Sequence, residues 1–359
     1  MQLDGHYSLT YVIARCAGFK PEEAEKIAYS SQYVDDATEG DDICFTNGAR
    51  SRVECSAHGN YDFFSHLRGA ENHRTWLPFH FLPGNGGMVA GENPNGSFIN
   101  KIITTPNSHI ANELIARFLL DTRDNRYKKY KLHRLGVTLH TIADTYTHQG
   151  FAGVVHKVNT VKNLRIVTGG KLSKFEQYKS KLLSKFFPLG HSAALSLPDI
   201  PFVCYSYEDY NGKTHIVDNI ERFKQIVLKL FDVLRYHKIK SLSCGKSYII
   251  LSENDFNAIV KSLISFNSFD EKERTAMWQK SIEKGDFSFG SEILPDYDPE
   301  KWKREALGEK VQTSIWKAEE YVYSNYFLRS DYRKFNSAIK AHRFELANNI
   351  LPKYGICIN

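Results

Sequence analysis

Apolar residues recur at helical spacing over most of the chain. In the first half, this repeat predicts amphipathic helices at about residues 7–17, 21–33, 107–121 and 133–151. Beyond residue 210, it predicts further helices at about 217–237, 253–266, 270–282, 299–307, 312–325 and 333–349. We therefore predict an all-α fold.

Residues 37–107 interrupt this pattern. They are rich in Gly, Asn and Pro and contain only short β-like pieces at 42–46 and 52–56. Long loops in compact domains usually carry function. We predict a helical core with long loops over residues 1–210, which carries the chemistry, and a helical extension of unknown role over 211–359.

The predicted helix at 133–151 carries His140, Asp144 and His148 at successive i, i+4 positions. Such residues lie about 40° apart around a helix, so the three side chains share one narrow face. Apolar neighbours such as Leu139 and Ile142 indicate that this face is turned inward. The helix alone is compatible with a metal site or with polar residues that face a wet cleft or a charged neighbour.

The rise along the helix limits how these ligands could be shared. His140 and Asp144 lie about 6 Å apart along the axis, and His140 and His148 about 12 Å. Adjacent members can reach one ion, but the two histidines cannot. If all three side chains are ligands, they serve at least two ions, and Asp144 lies where it could bridge them.

Composition excludes several classes of protein. The apolar fraction of 42% and the charged fraction of 25% are ordinary for a globular protein, and the net charge of +6 permits an anionic substrate without demanding nucleic acid. The six cysteines show no Cys-x-x-Cys spacing, which argues against a thiolate zinc site and a disulfide framework. The sequence has no apolar run of membrane-spanning length and no recognisable signal segment. We expect a cytoplasmic protein without a transmembrane segment, unless it is delivered as an effector.

Further candidate ligands lie at element edges or beside Pro and Gly. They are His6, Asp35 or Asp36, His80, His191 and Asp199. With the three residues of the central helix they give eight His and Asp ligands, enough for two or three zinc ions. Zinc favours nitrogen and oxygen ligands of this kind.

Several of these segments resemble the group formed by zinc-dependent phospholipase C and the P1/S1 nucleases. The similar segments are Gly5-His6, the stretch from Ala28 to Asp36, Pro78-Phe-His80-Phe, and Leu139-His140 with Asp144. The resemblance covers about residues 1–205 and is closest to a bacterial branch of that group. It implies a mostly helical fold with three clustered zinc ions.

The resemblance also implies a distribution of ligands. One pair of ions would be held by His6, Asp35, His80, His140 and Asp144, and a third ion by His148, His191 and Asp199. Within the segment that ends in Asp35-Asp36, it favours Asp35 as the ligand.

The sequence departs from the family pattern in three places. The family's chain begins with a tryptophan whose amine and carbonyl bind zinc, whereas position 1 here is Met, and Asp4 is a candidate replacement. His148 follows Asp144 by four residues instead of six. Asp199 follows His191 by eight residues instead of four.

These observations predict a zinc-dependent phosphoesterase in which activated water attacks a phosphodiester, with Asp35 orienting or deprotonating that water. The substrate could be a phospholipid at a membrane surface, or a nucleic acid or nucleotide. The basic segment 157–187 fits either substrate or is simply a solvated face.

The alternative to a phosphoesterase is a non-enzymatic, metal-stabilised helical scaffold that binds partners. An HD-type phosphohydrolase is disfavoured because the chain has no adjacent His-Asp pair. The sequence leaves the oligomeric state open.

Overall fold

The structure, a computed structural model, describes residues 1–57, 69–94, 97–121, 127–186, 189–241, 248–311 and 320–358. It is 57% helical and 10% strand, and the strands form two small sheets. The prediction of an all-α fold is therefore wrong, and the fold is mixed α and β.

Helices form most of the fold. A π-helical turn over Asp4–Leu9 leads directly into the first α-helix. The helices are α1 Thr10–Cys16, α2 Pro21–Asp36, α3 Gly69–Phe79, α4 Phe98–Ile102, α5 His109–Asp121, α6 Lys131–Thr147, α7 Lys174–Phe186, α8 Asn219–Ser241, α9 Glu253–Ser265, α10 Glu271–Lys284, α11 Lys301–Leu307 and α12 Asp331–Phe344. Most of them lie close to the predicted positions.

The seven described strands form two sheets. They are β1 Asp42–Phe45, β2 Arg50–Arg52, β3 Lys162–Thr168, β4 Cys204–Glu208, β5 Thr214–Asp218, β6 Lys310–Val311 and β7 Glu320–Tyr321. The first sheet has the order β2-β1-β7-β6, and its only described parallel pair joins Cys44 of β1 to Glu320 of β7. The second is an antiparallel sheet with the order β3-β4-β5.

The sheets explain where the all-α prediction failed. The predicted helix at 312–325 is wrong at 320–321, which form β7, while 312–319 lie outside the described residues. The predicted boundary at residue 210 falls in the turn between β4 and β5, which are hydrogen-bonded to each other. The two-domain division stays a prediction.

Helix α6 lies at the centre of the helical core, and α2, α5, α8 and α12 pack against it. Its contact with α2 is very close at Gly136, where a Cβ atom would collide with the carbonyl oxygen of Ile27. This contact fixes α2, which ends in Asp35 and Asp36, beside the polar face of α6.

None of the helices in the described part of the chain is both long enough and apolar enough to cross a membrane.

Candidate metal centre

Three elements carry four of the eight predicted ligands. The N-terminal turn carries His6, the end of α2 carries Asp35, and α6 carries His140 and Asp144. His148 is the first residue after α6, at its C-terminal cap. The turn that holds His6 is anchored by a buried ion pair, since the Arg274 guanidinium donates to both oxygens of Asp4 at 2.7 and 2.9 Å.

The first group consists of His6, His140 and Asp144, all fully buried. The Nε2 atom of His6 lies 3.1 Å from Asp144 Oδ1, and the Nε2 atom of His140 lies 3.2 Å from Asp144 Oδ2. The two imidazole rings stack at 3.8 Å. One ligand atom from each residue lies within 4.8 Å of the others, so this group could hold a metal ion.

The second group consists of Asp35, His80 and His140. Asp35 Oδ1 lies 3.6 Å from His80 Nδ1 and 3.8 Å from His140 Nε2. His140 therefore belongs to both groups. This group could also hold a metal ion.

The third group consists of His148, His191 and Asp199, which lie farther along the same pocket. His148 Nε2 lies 3.4 Å from Asp199 Oδ1, and His191 Nε2 lies 3.4 Å from Asp199 Oδ2. The single 3₁₀ turn over Leu197–Asp199 folds the carboxylate back toward His191. The eight-residue spacing that departs from the family pattern is thus compatible with a shared ligand position.

The carboxylate of Asp144 connects the groups. Its Oδ1 atom faces His6, and its Oδ2 atom lies 3.4 Å from His80 Nδ1 and 3.7 Å from His148 Nδ1. The ammonium group of Met1 donates a hydrogen bond to the same Oδ1 atom at 2.7 Å. The ligand nitrogens of His6 and His80 thus lie against different oxygens of one carboxylate, as the ligands of two neighbouring ions would.

Backbone carbonyls orient four of the five imidazoles. His140 Nδ1 donates to Ser31 O at 2.8 Å, and His80 Nε2 donates to Ser56 O at 2.9 Å. His148 Nδ1 donates to the carbonyl of His80 at 2.7 Å, and His191 Nδ1 donates to that of Leu195 at 2.9 Å. Because a carbonyl oxygen only accepts, each hydrogen bond fixes the proton on the outer nitrogen. The inner nitrogen of each ring keeps its lone pair, as metal-ligating histidines require.

The resulting lone pairs conflict with one another unless a cation lies among them. His80 Nδ1 and His140 Nε2 lie 3.1 Å apart, and both are the unprotonated atoms of their rings. Among the described residues, buried His6 Nε2 and Asp199 Oδ1 also make no hydrogen bond of good geometry, although Asp144 Oδ1 lies 3.1 Å from the first and the Met1 ammonium nitrogen 3.4 Å from the second. Buried polar atoms are costly without a partner. The residues present therefore fit one or more metal ions.

Burial changes the ionisation of these groups. It lowers the pKa of His140 and of His191 to about 4, and that of His6 well below its usual value. These imidazoles are therefore neutral at pH 7, which is the form that binds metal.

The carboxylates of the first two groups, Asp144 and Asp35, have pKa values shifted in opposite directions. Burial acts to raise the pKa of Asp144, but the nitrogen groups around it, His148 first, hold that pKa well below its ordinary range. Burial and the like charge of Asp144 raise the pKa of Asp35. Asp35 nevertheless lies at the open edge of the group, with 32% of its side chain exposed. One carboxylate thus stays ionised while the other can take up a proton.

The three groups line one cleft with a volume of about 600 Å³. Its walls include apolar side chains on both sides, namely Trp76, Phe81, Val155, Leu183 and Leu189. The Phe81 ring stacks on His148 at 4.6 Å. The cleft is open, so a small polar molecule can reach the candidate ligands between these apolar walls.

All eight predicted ligands lie in this cleft or immediately behind it. The remaining candidates have other partners: Asp4 pairs with Arg274, and Asp36, although it also lines the cleft, accepts hydrogen bonds from Tyr297 and Gln32. His133, on the same face of α6 two turns away, contacts Asp331 at 3.0 Å.

Sequence reasoning missed the carbonyl groups of Ser31, Ser56, His80 and Leu195, which orient the imidazoles. A backbone carbonyl has no sequence signature, so no pattern could have indicated these partners.

Comparison with protein families gives one match. A family model described as a family of unknown function (DUF6765) matches residues 1–350. No curated protein and no solved structure matches the chain. Since the family model covers nearly the whole sequence, the chain belongs to the DUF6765 family, a family of unknown function.

Proposed function

We propose that this protein is a multi-zinc phosphoesterase that hydrolyses a phosphodiester of a phospholipid or of a nucleic acid or nucleotide. The observation that carries the proposal is the convergence of three His/Asp groups on one open cleft, with imidazoles already oriented by backbone carbonyls. The resemblance of residues 1–205 to zinc-dependent phospholipase C and the P1/S1 nucleases supports the same activity.

The donor set favours zinc. Imidazole nitrogens and carboxylate oxygens in small groups, without thiolates, are typical of catalytic zinc sites. His6, Asp35, His80, His140 and Asp144 would hold one pair of ions, and His148, His191 and Asp199 a third. Zinc bound there would polarise the phosphoryl group and make water acidic enough to attack near neutral pH.

The residues of the chain would perform the remaining tasks. Asp144, buried and ionised, would fix the first two groups relative to each other through its two oxygens. Asp35 lies at the open side of the cleft, where its partly exposed carboxylate would orient water and accept its proton. Trp76 and Phe81 would shield the reacting group from bulk water.

The main alternative is a scaffold in which metal ions only stabilise the fold. In such a protein the ligands would saturate each ion, and no space beside them would be needed. The cleft of about 600 Å³ beside the candidate ligands favours the enzyme.

Metal analysis and a hydrolysis assay on the same preparation test the proposal. We expect about two to three zinc ions per chain and hydrolysis of bis-p-nitrophenyl phosphate that a chelator abolishes and zinc restores. His140→Ala should lower both the metal content and the rate, because His140 belongs to two groups. His215→Ala is the matched control, since His215 forms its own pair with Asp209 outside the cleft.

Two outcomes contradict the proposal in different ways. Activity in the absence of bound metal, unchanged in His140→Ala, would refute a metal-dependent reaction. Bound metal without hydrolysis of this ester, single-stranded nucleic acid or phosphatidylcholine would favour the scaffold.

A further inference from the structure

Helix α7 exposes an apolar stripe that no described residue covers. Phe175 is 73% exposed, Tyr178 63% and Leu182 41%. These positions are three and four residues apart, so they lie within an arc of about 60° on one face of the helix. The opposite face packs on the protein, where Ser180 is buried and donates to the carbonyl of Ala193 at 2.5 Å.

Lysines border this stripe on both edges. Lys174, Lys181 and Lys185 lie along one edge and Lys179 along the other. The only acidic residue of segment 157–187 is Glu176. Its carboxylate accepts the Ser173 backbone N–H at 2.7 Å and caps the helix. The stripe therefore has a strongly cationic border.

Strand β3 packs on α7 and adds an exposed apolar side chain and further cationic residues to the same surface. Val167 is 54% exposed. A cavity of about 930 Å³ lies between β3 and α7, and its cationic lining residues are Lys162, Arg165, Lys171, Lys181 and Lys185. The cavity is large enough for an anionic headgroup, and its positive lining complements one.

We propose that α7 and β3 dock this protein onto a bilayer surface that contains anionic lipid. A helix with an exposed Phe and Leu stripe between lysines inserts the stripe below the headgroups and keeps the ammonium groups at the phosphate level. Phe175 and Tyr178 could stack on the bases of single-stranded nucleic acid, but Leu182 and Val167 continue the surface with aliphatic side chains, which suit insertion into lipid better than base stacking.

The docking surface goes beyond the phosphoesterase proposal and does not depend on it. Leu183 of the same helix lines the cleft of the candidate metal centre, whereas Leu182 points outward in the stripe. Helix α7 thus separates the cleft from the proposed membrane contact. Docking would place one wall of the cleft at the lipid interface, whatever reaction the cleft performs.

Vesicle co-sedimentation of the full chain tests the proposal. We expect binding to phosphatidylcholine vesicles with about one third phosphatidylserine, and weaker binding to pure phosphatidylcholine or at high salt. Phe175→Ser with Leu182→Ser should reduce binding about tenfold or more, through lost apolar burial. Lys174→Glu with Lys181→Glu should reduce it by a similar factor, through charge reversal.

Matched controls come from exposed residues elsewhere. Ile293→Ser with Phe344→Ser removes two exposed apolar side chains, and Lys261→Glu with Lys280→Glu reverses two exposed lysines. Both controls should bind as the unmodified protein does. The His140→Ala protein should also keep its vesicle binding, which separates docking from metal binding.

The proposal is overturned if the unmodified protein does not bind the anionic vesicles, or if the controls lose binding equally. It is also overturned if Lys174→Glu with Lys181→Glu abolishes binding of single-stranded nucleic acid while vesicle binding is absent. Circular dichroism of each variant establishes that it is folded.

Discussion

Helices α6 and α7 contain a similar share of apolar residues, yet the protein uses them in opposite ways. Fifteen consecutive residues of α6, from His133 to Thr147, are buried. In α7, the only buried residue among 174–185 is Ser180. The polar residues of α6 must therefore find partners inside the protein, whereas the lysines of α7 are solvated. We therefore expect α6 to contribute to stability and to hold the candidate metal ligands, and α7 to contribute to binding at the surface.

The largest loss of stability should follow from breaking the buried ion pair that anchors the N-terminal turn. Arg274→Leu would leave the Asp4 carboxylate buried without its counter-ion and should lower the free energy of unfolding by about 3–5 kcal/mol. Adding Asp4→Leu should restore part of this loss, because an apolar pair needs no counter-ion. Denaturant unfolding measures both effects.

The control for this pair is Arg304→Leu, which removes the partner of Asp298 at an exposed position. It should cost much less, since solvent screens that pair. Equal losses for Arg274→Leu and Arg304→Leu would contradict the role given to the buried anchor.

Acid should destabilise the buried region through His237 of α8. This imidazole lies between the rings of Phe19 and Phe118, and its burial lowers the pKa from 6.5 to about 4. Between these pH values the unfolded chain binds a proton and the native protein does not, so stability falls as the pH falls. The loss reaches about 3 kcal/mol at the acidic end.

His237→Phe should remove this contribution while keeping an aromatic ring in place. Its free energy of unfolding should depend less steeply on pH between 6.5 and 4 than that of the unmodified protein. Parallel stability curves for the two proteins over this interval would contradict the assignment.

A smaller effect should come from one methyl group at the contact of α2 with α6. Gly136→Ala would push α2 away from α6 and should cost about 1–3 kcal/mol, because backbone atoms of α2 cannot yield as a flexible side chain can. Gly40→Ala is the matched control, since its Cβ atom would meet only Cys55 Sγ at 3.8 Å. Thermal and denaturant unfolding of the two variants give the comparison.

On the exposed helix α7, a substitution should have little effect on the free energy of unfolding. Lys179→Ala, on its exposed face, should change the free energy of unfolding by less than about 0.5 kcal/mol. A loss at this position as large as that of Gly136→Ala would show that α7 is part of the stabilising core.

The sequence revealed local elements well and distant pairings poorly. The repeat of apolar residues located α2, α6 and α8 because each helix buries a continuous face. The β4–β5 hairpin also had a local signal, since alternating residues flank Asn211-Gly212, a typical hairpin turn. The predicted division at residue 210 lies in the same turn and stays a prediction. The pairing of β1 with β7 joins residues far apart in the chain, and no local pattern indicates it.

In the candidate site, too, local spacing could be predicted from the sequence, whereas tertiary contacts could not. Helical spacing was sufficient to assign His140 and His148 to different groups and to place Asp144 between them. It could not show that His140 is oriented by the Ser31 carbonyl, because that contact depends on how closely α2 approaches α6. Positions on one helix are thus predictable, whereas the partners that fix each ring come from the tertiary packing.

The ion pair between Asp4 and Arg274 joins residues that are 270 positions apart in the chain. During synthesis, the turn with His6 is made long before its counter-ion Arg274, which lies 270 positions after Asp4 in the chain. The sequence separation between β1 and its parallel partner β7 is slightly larger, since Cys44 pairs with Glu320. The N-terminal turn and β1 therefore reach their final contacts long after they are made, and the nascent chain lacks those contacts until then.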